Sequence, residues 1–269
     1  MSAPVTRTTA PEEMPVERVG EFYDRLAKVL PGRAEHAGPA NPKRKRDPFR
    51  SCVSCMLSAQ SLDRNTEAAT NALFRLARTP KGILKLDDET IAAAIRPAGL
   101  YNMKTRNIRK FCTALLAEHG GVVPETREGL MSLPGIGRKC ADIVLTFTFD
   151  ADVIAVDTHV HRVCNRTGLA LGKNEAKTAE SLEARTPERA MHDGHVWLLN
   201  FGKRICTSRA PKCAACPVAD LCLWPDKRTG EANAPEGASA APSTVTPSEA
   251  RRRKKAAAKR RAKAGAGGR

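Results

Sequence analysis

The sequence of 269 residues has few aromatic side chains and no long apolar run. Phe, Trp and Tyr make up only 4% of it, and no stretch of 18 apolar residues occurs, which excludes a membrane-spanning helix. The first twenty residues contain no apolar core of the signal-peptide type, so we expect an intracellular protein. No segment alternates with period two for long, and the only strand-like run is DVIAV at 152–156. An extensive β-sheet is therefore excluded.

Acidic residues are absent from residues 251–269, where ten Lys and Arg occur. This segment supplies most of the formal net charge of +16. This excess of positive charge indicates a polyanionic partner. Nucleic acid is the first expectation, and an anionic membrane surface is the second. Core residues vanish after Trp224, so residues 227–269 are predicted to be a disordered basic tail, and residues 1–14 to be loose. We interpret the tail as an electrostatic tether to DNA, the alternative being a solvated tail without function.

Apolar residues recur with the period of a helix, which predicts an all-α fold. Segment 16–30 places seven apolar side chains on one stripe: Val16, Val19, Phe22, Tyr23, Leu26, Val29 and Leu30. The same period recurs in five segments between Phe49 and Phe149, with Gly and Pro at the joints. Further helices are predicted at 158–168, 175–185 and 195–206, and a long basic loop at 31–48.

The chain has nine cysteines, which are not expected to pair as disulfides in a reducing compartment. Four of them are separated by six, two and five residues: Cys206, Cys213, Cys216 and Cys222. A zinc ribbon has two C-x-x-C pairs, whereas this spacing contains one and favours an iron–sulfur cluster, with zinc left open. The remaining five are predicted to be buried small hydrophobes: Cys52, Cys55, Cys112, Cys140 and Cys164.

The segment SLPGIGRKC at 132–140 predicts a helix, a tight hairpin and a second helix. Free amides in the Gly135–Gly137 turn suit a DNA phosphate. Lys139 stands beside Arg138 at a helix start, where the partial positive charge disfavours a cation. Both neighbours favour the neutral amine, which can attack a sugar carbon and form a Schiff base, although a second phosphate contact is the simpler reading of Lys139. Asp157 follows eighteen residues later, either as an N-cap or as a carboxylate that supports this chemistry.

Together these features resemble the endonuclease III family of DNA glycosylases. The motifs MLSAQ, GLYNMK, LPGIGRK and AVDTHVHRVCNRTGL and the Cys206–Cys222 loop carry the resemblance, between Val16 and Trp224. It implies two helical domains with a DNA-binding cleft between them. Residues 45–150 would form a six-helix domain with the helix-hairpin-helix, and residues 15–32 and 151–226 the iron–sulfur cluster domain. The four clustered cysteines would then bind a [4Fe-4S] cluster.

The same resemblance implies a bifunctional glycosylase and AP lyase that acts on oxidised pyrimidines. Lys139 would be the nucleophile and Asp157 the supporting carboxylate. Gln60 would fill the vacated base stack and Leu100 would wedge into the opposite strand. The other expected DNA contacts are Leu133, Gly135, Gly137, Arg138, His159, Arg209 and Lys212.

Departures from the family pattern keep two alternatives open. Ser61 and Leu62 precede Asp63 after Gln60, and Cys140 follows the lysine. A monofunctional glycosylase and a catalytically silent binder of damaged DNA therefore remain competing hypotheses, although the adenine-mismatch glycosylases lack this lysine. The expected partner is double-stranded DNA with damaged bases or abasic sites, bound by a monomer without a membrane. We expect it in a bacterial cytoplasm, associated with the nucleoid.

Overall fold

Helices account for all the regular secondary structure that the computed structural model describes, in residues 12–36 and 46–228. The α-helices are α1 Val16–Val29, α2 Arg33–His36, α3 Pro48–Ser58, α4 Asp63–Leu76, α5 Pro80–Leu84, α6 Asp88–Ile95, α7 Tyr101–His119, α8 Arg127–Ser132, α9 Arg138–Thr148, α10 Thr158–Thr167, α11 Glu175–Arg185 and α12 Glu188–Arg204. Two 3₁₀ turns lie at Arg96–Ala98 and Cys213–Ala215. The prediction of an all-α fold is confirmed. Within the described ranges no helix combines the length and apolarity needed to cross a membrane.

Three predicted segments fall partly outside this description, and the first is the loose N-terminus, of which residues 1–11 are not described. The basic tail lies beyond residue 228, and the loop 31–48 is described only at its two ends, the first of which forms the short helix α2. Residues 12–14 differ from the expected loose N-terminus. Met14 is 1% exposed, and its amide donates to the Gly168 carbonyl at 2.7 Å. The start of the described chain is therefore packed against the turn that follows α10.

Helix α1 buries most of the apolar stripe that the sequence predicts for it. Its Phe22, Tyr23 and Leu26 are fully buried, and burial of each such side chain contributes roughly 1.5–3 kcal/mol to stability. Val16 and Val29, which were placed on the same stripe, are more than half exposed. They are the first and last residues of the helix, where none of the described elements covers them. The predicted stripe is confirmed for its other members, including its last residue Leu30, which is 7% exposed.

The buried apolar residues form two clusters. The first draws on α3 to α9, from Phe49 to Leu145, and the second on Met14–Leu30 together with residues from Ile154 to Leu221. All described residues belong to one compact unit. The division into two helical domains remains a prediction, but the two clusters supply opposite walls for the cleft described below.

The segment that joins the two clusters is extended but is not a β-strand. Asp150 has a left-handed backbone with φ 56°, and Ile154, Ala155 and Val156 are buried without a strand partner among the described residues. The His195 ring meets the Ala155 carbonyl through Nδ1 at 2.8 Å. DVIAV resembled a strand because it is apolar, yet it is a buried connector that leads directly to Asp157.

Candidate active site

The hairpin between α8 and α9 is fixed by two buried apolar side chains and by a glycine that makes its tight turn possible. Leu133 and Ile136 are 1% and 5% exposed, and the Ile136 amide donates to the Leu133 carbonyl at 3.1 Å. Gly135 has φ 86°, and a Cβ there would lie 2.7 Å from Met56 Cε. Gly137 is exposed, and a Cβ there would meet nothing within 4 Å. The buried Leu133 side chain anchors the turn, so the atoms that face outward are backbone atoms.

Arg138 is turned away from the hairpin. Its Nη2 donates to Glu183 Oε2 at 2.6 Å, and its Nε lies 3.6 Å from Asp142 Oδ2. Arg127 reaches the same two carboxylates. The Arg138 charge is thus matched locally by acids, and its role as a DNA contact stays a prediction.

Lys139, one residue further along α9, is exposed and has no ion-pair partner among the described residues. It lines an open cleft of about 880 Å³. Because α9 begins at Arg138, consecutive side chains point in different directions. The helix therefore directs the arginine toward α11 and leaves the lysine amine available in the cleft.

Asp157 combines the two roles that the sequence offered as alternatives. It is the N-cap of α10, with Oδ1 accepting from the amides of His159 and Val160 at 2.9 Å each. Its Oδ2 has no hydrogen-bond partner among the described residues, and the side chain lines the same cleft as Lys139. One oxygen fixes the carboxylate, and the other is free for chemistry.

The cleft takes its walls from both clusters. Lys139 comes from α9, Asp63 from the start of α4, and His195 and Lys203 from α12. Two of the predicted site residues, Lys139 and Asp157, are brought together here. The result is an open site with an amine, a carboxylate and a mixed polar and apolar lining.

Two cysteines beside the lysine depart from the prediction that all five non-clustered thiols are buried. Cys52, Cys112 and Cys164 have no exposed surface, as predicted. Cys55 and Cys140 are half-buried, border the same small cavity as Lys139, and interact with each other through their side chains. The Cys140 thiol and the Lys139 charge lower the pKa of Cys55. This thiol pair is part of the site surroundings rather than of the core.

Gln60 and Leu100 are exposed at the ends of two loops. Leu100 is 49% exposed, and both residues have left-handed backbones, with φ 52° and 48° respectively. Neither lines the cleft itself. His159 is half-buried, and its Nδ1 lies 3.3 Å from Arg162 Nη2. Their contacts with DNA remain predictions.

The four clustered cysteines border one cavity. Phe201, Ile205 and Trp224 complete its largely apolar lining. Among the described residues, no three side chains of His, Cys, Asp or Glu are placed so that they could hold a single metal ion. Four thiols around one apolar space are a donor set suited to an iron–sulfur cluster. Arg209 and Lys212, between the first two cysteines, are exposed on the loop that encloses this cavity.

Arg166 supports this loop and was not predicted. Its guanidinium donates to the carbonyls of Thr207 and Ser208 at 2.8 and 2.9 Å, and it lies 4.1 Å from the Trp224 ring centroid. It also lies 3.9 Å from Cys206 Sγ. The available signal was an arginine in the last turn of α10, which local spacing alone does not connect to residues forty positions away.

The chain matches two family models, each over a different part of the site. Residues 53–188 match the HhH-GPD superfamily base excision DNA repair protein, and residues 206–222 match the iron–sulfur binding domain of endonuclease III. Endonuclease III of Haemophilus influenzae is 40% identical over 195 residues, which cover 72% of this chain and 92% of the relative. The chain belongs to the endonuclease III family.

Other members and solved structures agree with this placement. Endonuclease III of Escherichia coli K12 is 43% identical over 180 residues, 67% of this chain and 85% of the relative. A solved structure of a trapped endonuclease III–DNA covalent intermediate has a TM-score of 0.68 and 32% identity, covering 78% of this chain and 96% of that one. A thermostable thymine-DNA glycosylase, at 23% identity and TM-score 0.64, shares the fold.

Membership of the endonuclease III family decides two points that spacing left open. The cofactor is a [4Fe-4S] cluster rather than zinc. The enzyme is a DNA glycosylase of base excision repair. Cys206, Cys213, Cys216 and Cys222 are the residues that would hold the cluster, because they border one cavity within the matched segment.

Proposed function

We propose that this endonuclease III family member excises oxidised pyrimidines from duplex DNA and then cleaves the abasic site as an AP lyase. The observation that carries the proposal is the presence of Lys139 and Asp157 in one open cleft, contributed by helices of different clusters. Enzymes that act on a base in duplex DNA extrude it into such a pocket. An unpaired amine and a fixed carboxylate that line the same cleft are the two groups that a Schiff-base lyase requires.

The chemistry uses the Lys139 amine as nucleophile. Its Nζ attacks C1′ of the damaged nucleotide, and the glycosidic bond breaks as the base leaves with the bonding electrons and takes up a proton. Loss of a proton from Nζ and opening of the sugar ring give the Schiff base. Removal of a C2′ proton then breaks the C3′–O bond, which nicks the strand on the 3′ side. Water hydrolyses the Schiff base and regenerates the amine.

Asp157 supports this sequence through its charge. Two backbone amides hold Oδ1 at 2.9 Å each, so the carboxylate keeps its position without reorganising during the reaction. A fixed negative charge stabilises the cationic sugar that develops as the base leaves. The free Oδ2 is the oxygen that faces the reacting nucleotide under this proposal.

DNA would be held by surfaces outside the cleft. The exposed residues Gly135 and Gly137 offer backbone amides for a phosphate, and Arg209 and Lys212 offer positive charges for neighbouring phosphates. The [4Fe-4S] cluster supplies a structural brace for the loop that carries these two side chains. Gln60 and Leu100 would enter the base stack once the nucleotide is extruded. Solved endonuclease III structures, one with non-covalent DNA and one trapped covalently, support this reading.

The test is a duplex with one thymine glycol, assayed for free base and for strand cleavage before and after alkali. Wild type is expected to release the base and nick the strand without alkali. Lys139→Gln is expected to bind the duplex and do neither, while Lys177→Gln, an exposed lysine of α11, behaves as wild type. Cleavage by wild type only after alkali would show a monofunctional glycosylase, and binding without any product a silent binder. Either result contradicts the proposal.

A further inference from the structure

Lys104 of α7 is a buried cation held entirely by backbone carbonyls. Only 3% of the surface of Lys104 is exposed. Nζ donates to the carbonyls of Leu57 and Ala59 at 2.8 Å each and to that of Ala98 at 3.0 Å. An ammonium has three N–H donors, and all three are used. Burial lowers the pKa of Lys104.

Among the described residues no acidic side chain pairs with this charge. The dipoles of the three backbone carbonyls stabilise it instead. Helix α3 ends at Ser58, so the carbonyls of Leu57 and Ala59 belong to its C-terminal end. The last carbonyls of a helix lack partners within the helix and carry partial negative charge. The Ala98 carbonyl ends the short 3₁₀ turn that precedes α7. Lys104 therefore joins the ends of two elements that are about forty residues apart in the chain.

Both ends lead directly into a strained residue. The Ala59 carbonyl belongs to the peptide that enters Gln60, and the Ala98 carbonyl lies two residues before Leu100. Gln60 and Leu100 are two of the three non-glycine residues with positive φ in the described chain. Such conformations persist only where the surroundings enforce them. The Lys104 amide also donates to the Leu100 carbonyl at 3.0 Å, so the backbone and the side chain of one residue fix this loop.

We propose that Lys104 is the positioning residue for the two side chains that enter the DNA stack. Its ammonium holds the loops of Gln60 and Leu100 in the strained conformations that present both side chains outward before DNA arrives. This rests on the proposed function of Gln60 and Leu100. Because the three donors of Lys104 are used by backbone carbonyls, Lys104 acts through these loops and not by contact with DNA. Its effect is preorganisation, since binding then costs no ordering of either loop.

The test compares Lys104→Met with Lys110→Met, an exposed lysine of the same helix. The substrate for binding is a duplex with one tetrahydrofuran abasic analogue, flanked by 2-aminopurine to report unstacking. Lys104→Met is expected to bind roughly tenfold more weakly, a factor that corresponds to about 1.4 kcal/mol, and to lose the 2-aminopurine signal. Lys110→Met is expected to match wild type in both readouts.

A second comparison separates positioning from a general loss of structure. On a single-stranded abasic oligonucleotide there is no stack to fill, so Lys104→Met should cleave it at the wild-type rate while cleavage of the duplex falls. In a Gln60→Ala, Leu100→Ala background, Lys104→Met should cause little further loss of duplex binding. Equal losses on both substrates, or a full additional loss in that background, would overturn the proposal.

Two further outcomes are kept distinct. If Lys104→Met lacks a cooperative thermal transition, Lys104→Gln, which keeps a donor, is compared in the same assays. If wild type cleaves neither substrate, the lyase assignment fails, but the binding and 2-aminopurine measurements still decide the role of Lys104. Unchanged duplex binding and unstacking in a folded Lys104 variant would contradict that role.

Discussion

Asp157 carries two tasks on two oxygens, and substitution can separate them. Asp157→Asn keeps an acceptor for the His159 and Val160 amides, so it is expected to preserve stability while base excision slows roughly 10²- to 10⁴-fold. Asp157→Ala also removes the N-cap of α10, so besides the slower base excision it should lower the free energy of unfolding by about 1 kcal/mol. Thermal melts and single-turnover base release measure the two effects. An Asn variant as active as wild type would show that Asp157 is only an N-cap.

Cys55 provides a test of the charge around Lys139. Thiolates are the reactive form, and the Cys140 thiol and Lys139 lower the pKa of Cys55, whereas burial raises the pKa of Cys52 and Cys112 to about 12. At pH 8 a larger fraction of Cys55 is therefore ionised. Limited iodoacetamide treatment with peptide mass spectrometry should label Cys55 first, and more slowly in Lys139→Gln. Equal labelling of Cys112 in the folded protein would contradict this.

Single residues could be predicted where a local motif fixed their surroundings. Lys139 and Asp157 follow a hairpin and an apolar run, and both reach the cleft. The ion pair of Arg138 with Glu183 could not be predicted, because the two residues are 45 positions apart and contact at that range depends on the fold. Lys104 is the last residue of the motif GLYNMK. Its partners are three backbone carbonyls, and contacts with the backbone cannot be read from a pattern of side chains.

At the scale of elements, α8, α9 and α11 are joined by one ion-pair network. Asp142 has a side chain that is 1% exposed and lies between Arg127 and Arg138, which both also reach Glu183. Removing one partner of a buried pair leaves uncompensated charge behind. This network holds the hairpin helix against the second cluster, and so holds one wall of the cleft.

Asp142→Ala is therefore expected to lower the free energy of unfolding by about 3 kcal/mol. Asp24→Ala, which breaks the exposed pair with Arg189, should cost less than about 1 kcal/mol. Urea denaturation of both variants and wild type measures the difference. Equal and small losses would mean that the buried network contributes no more than a surface ion pair.

The helices were the most predictable elements, because a helix with one buried face has apolar residues that recur with the helical period. DVIAV was strand-like in sequence because a buried connector and a buried strand have the same composition. Helix α5, five residues long, was missed because it is too short to show a period. The end of α3 at Ser58 was not predictable from local sequence, since Lys104, which contacts the Ala59 carbonyl there, lies 45 residues away.

For the whole molecule, charge should govern how the enzyme finds DNA. The ten Lys and Arg of residues 251–269 lie outside the described residues but belong to the sequence. Each phosphate contact steepens the fall of affinity with salt. Replacing these ten residues with Gln should flatten the slope of log affinity against log salt for undamaged duplex while base excision at low salt is retained. An unchanged slope would show that the tail has no electrostatic role.

The central claim is that Lys139 is a nucleophile, and borohydride trapping tests it most directly. Wild type is incubated with a duplex carrying one abasic site, reduced, and digested for mass spectrometry. A covalent adduct that maps to the peptide of Lys139, and that Lys139→Gln does not form, is the predicted result. No adduct from folded wild type that binds the duplex, or an adduct on another lysine, would contradict the account.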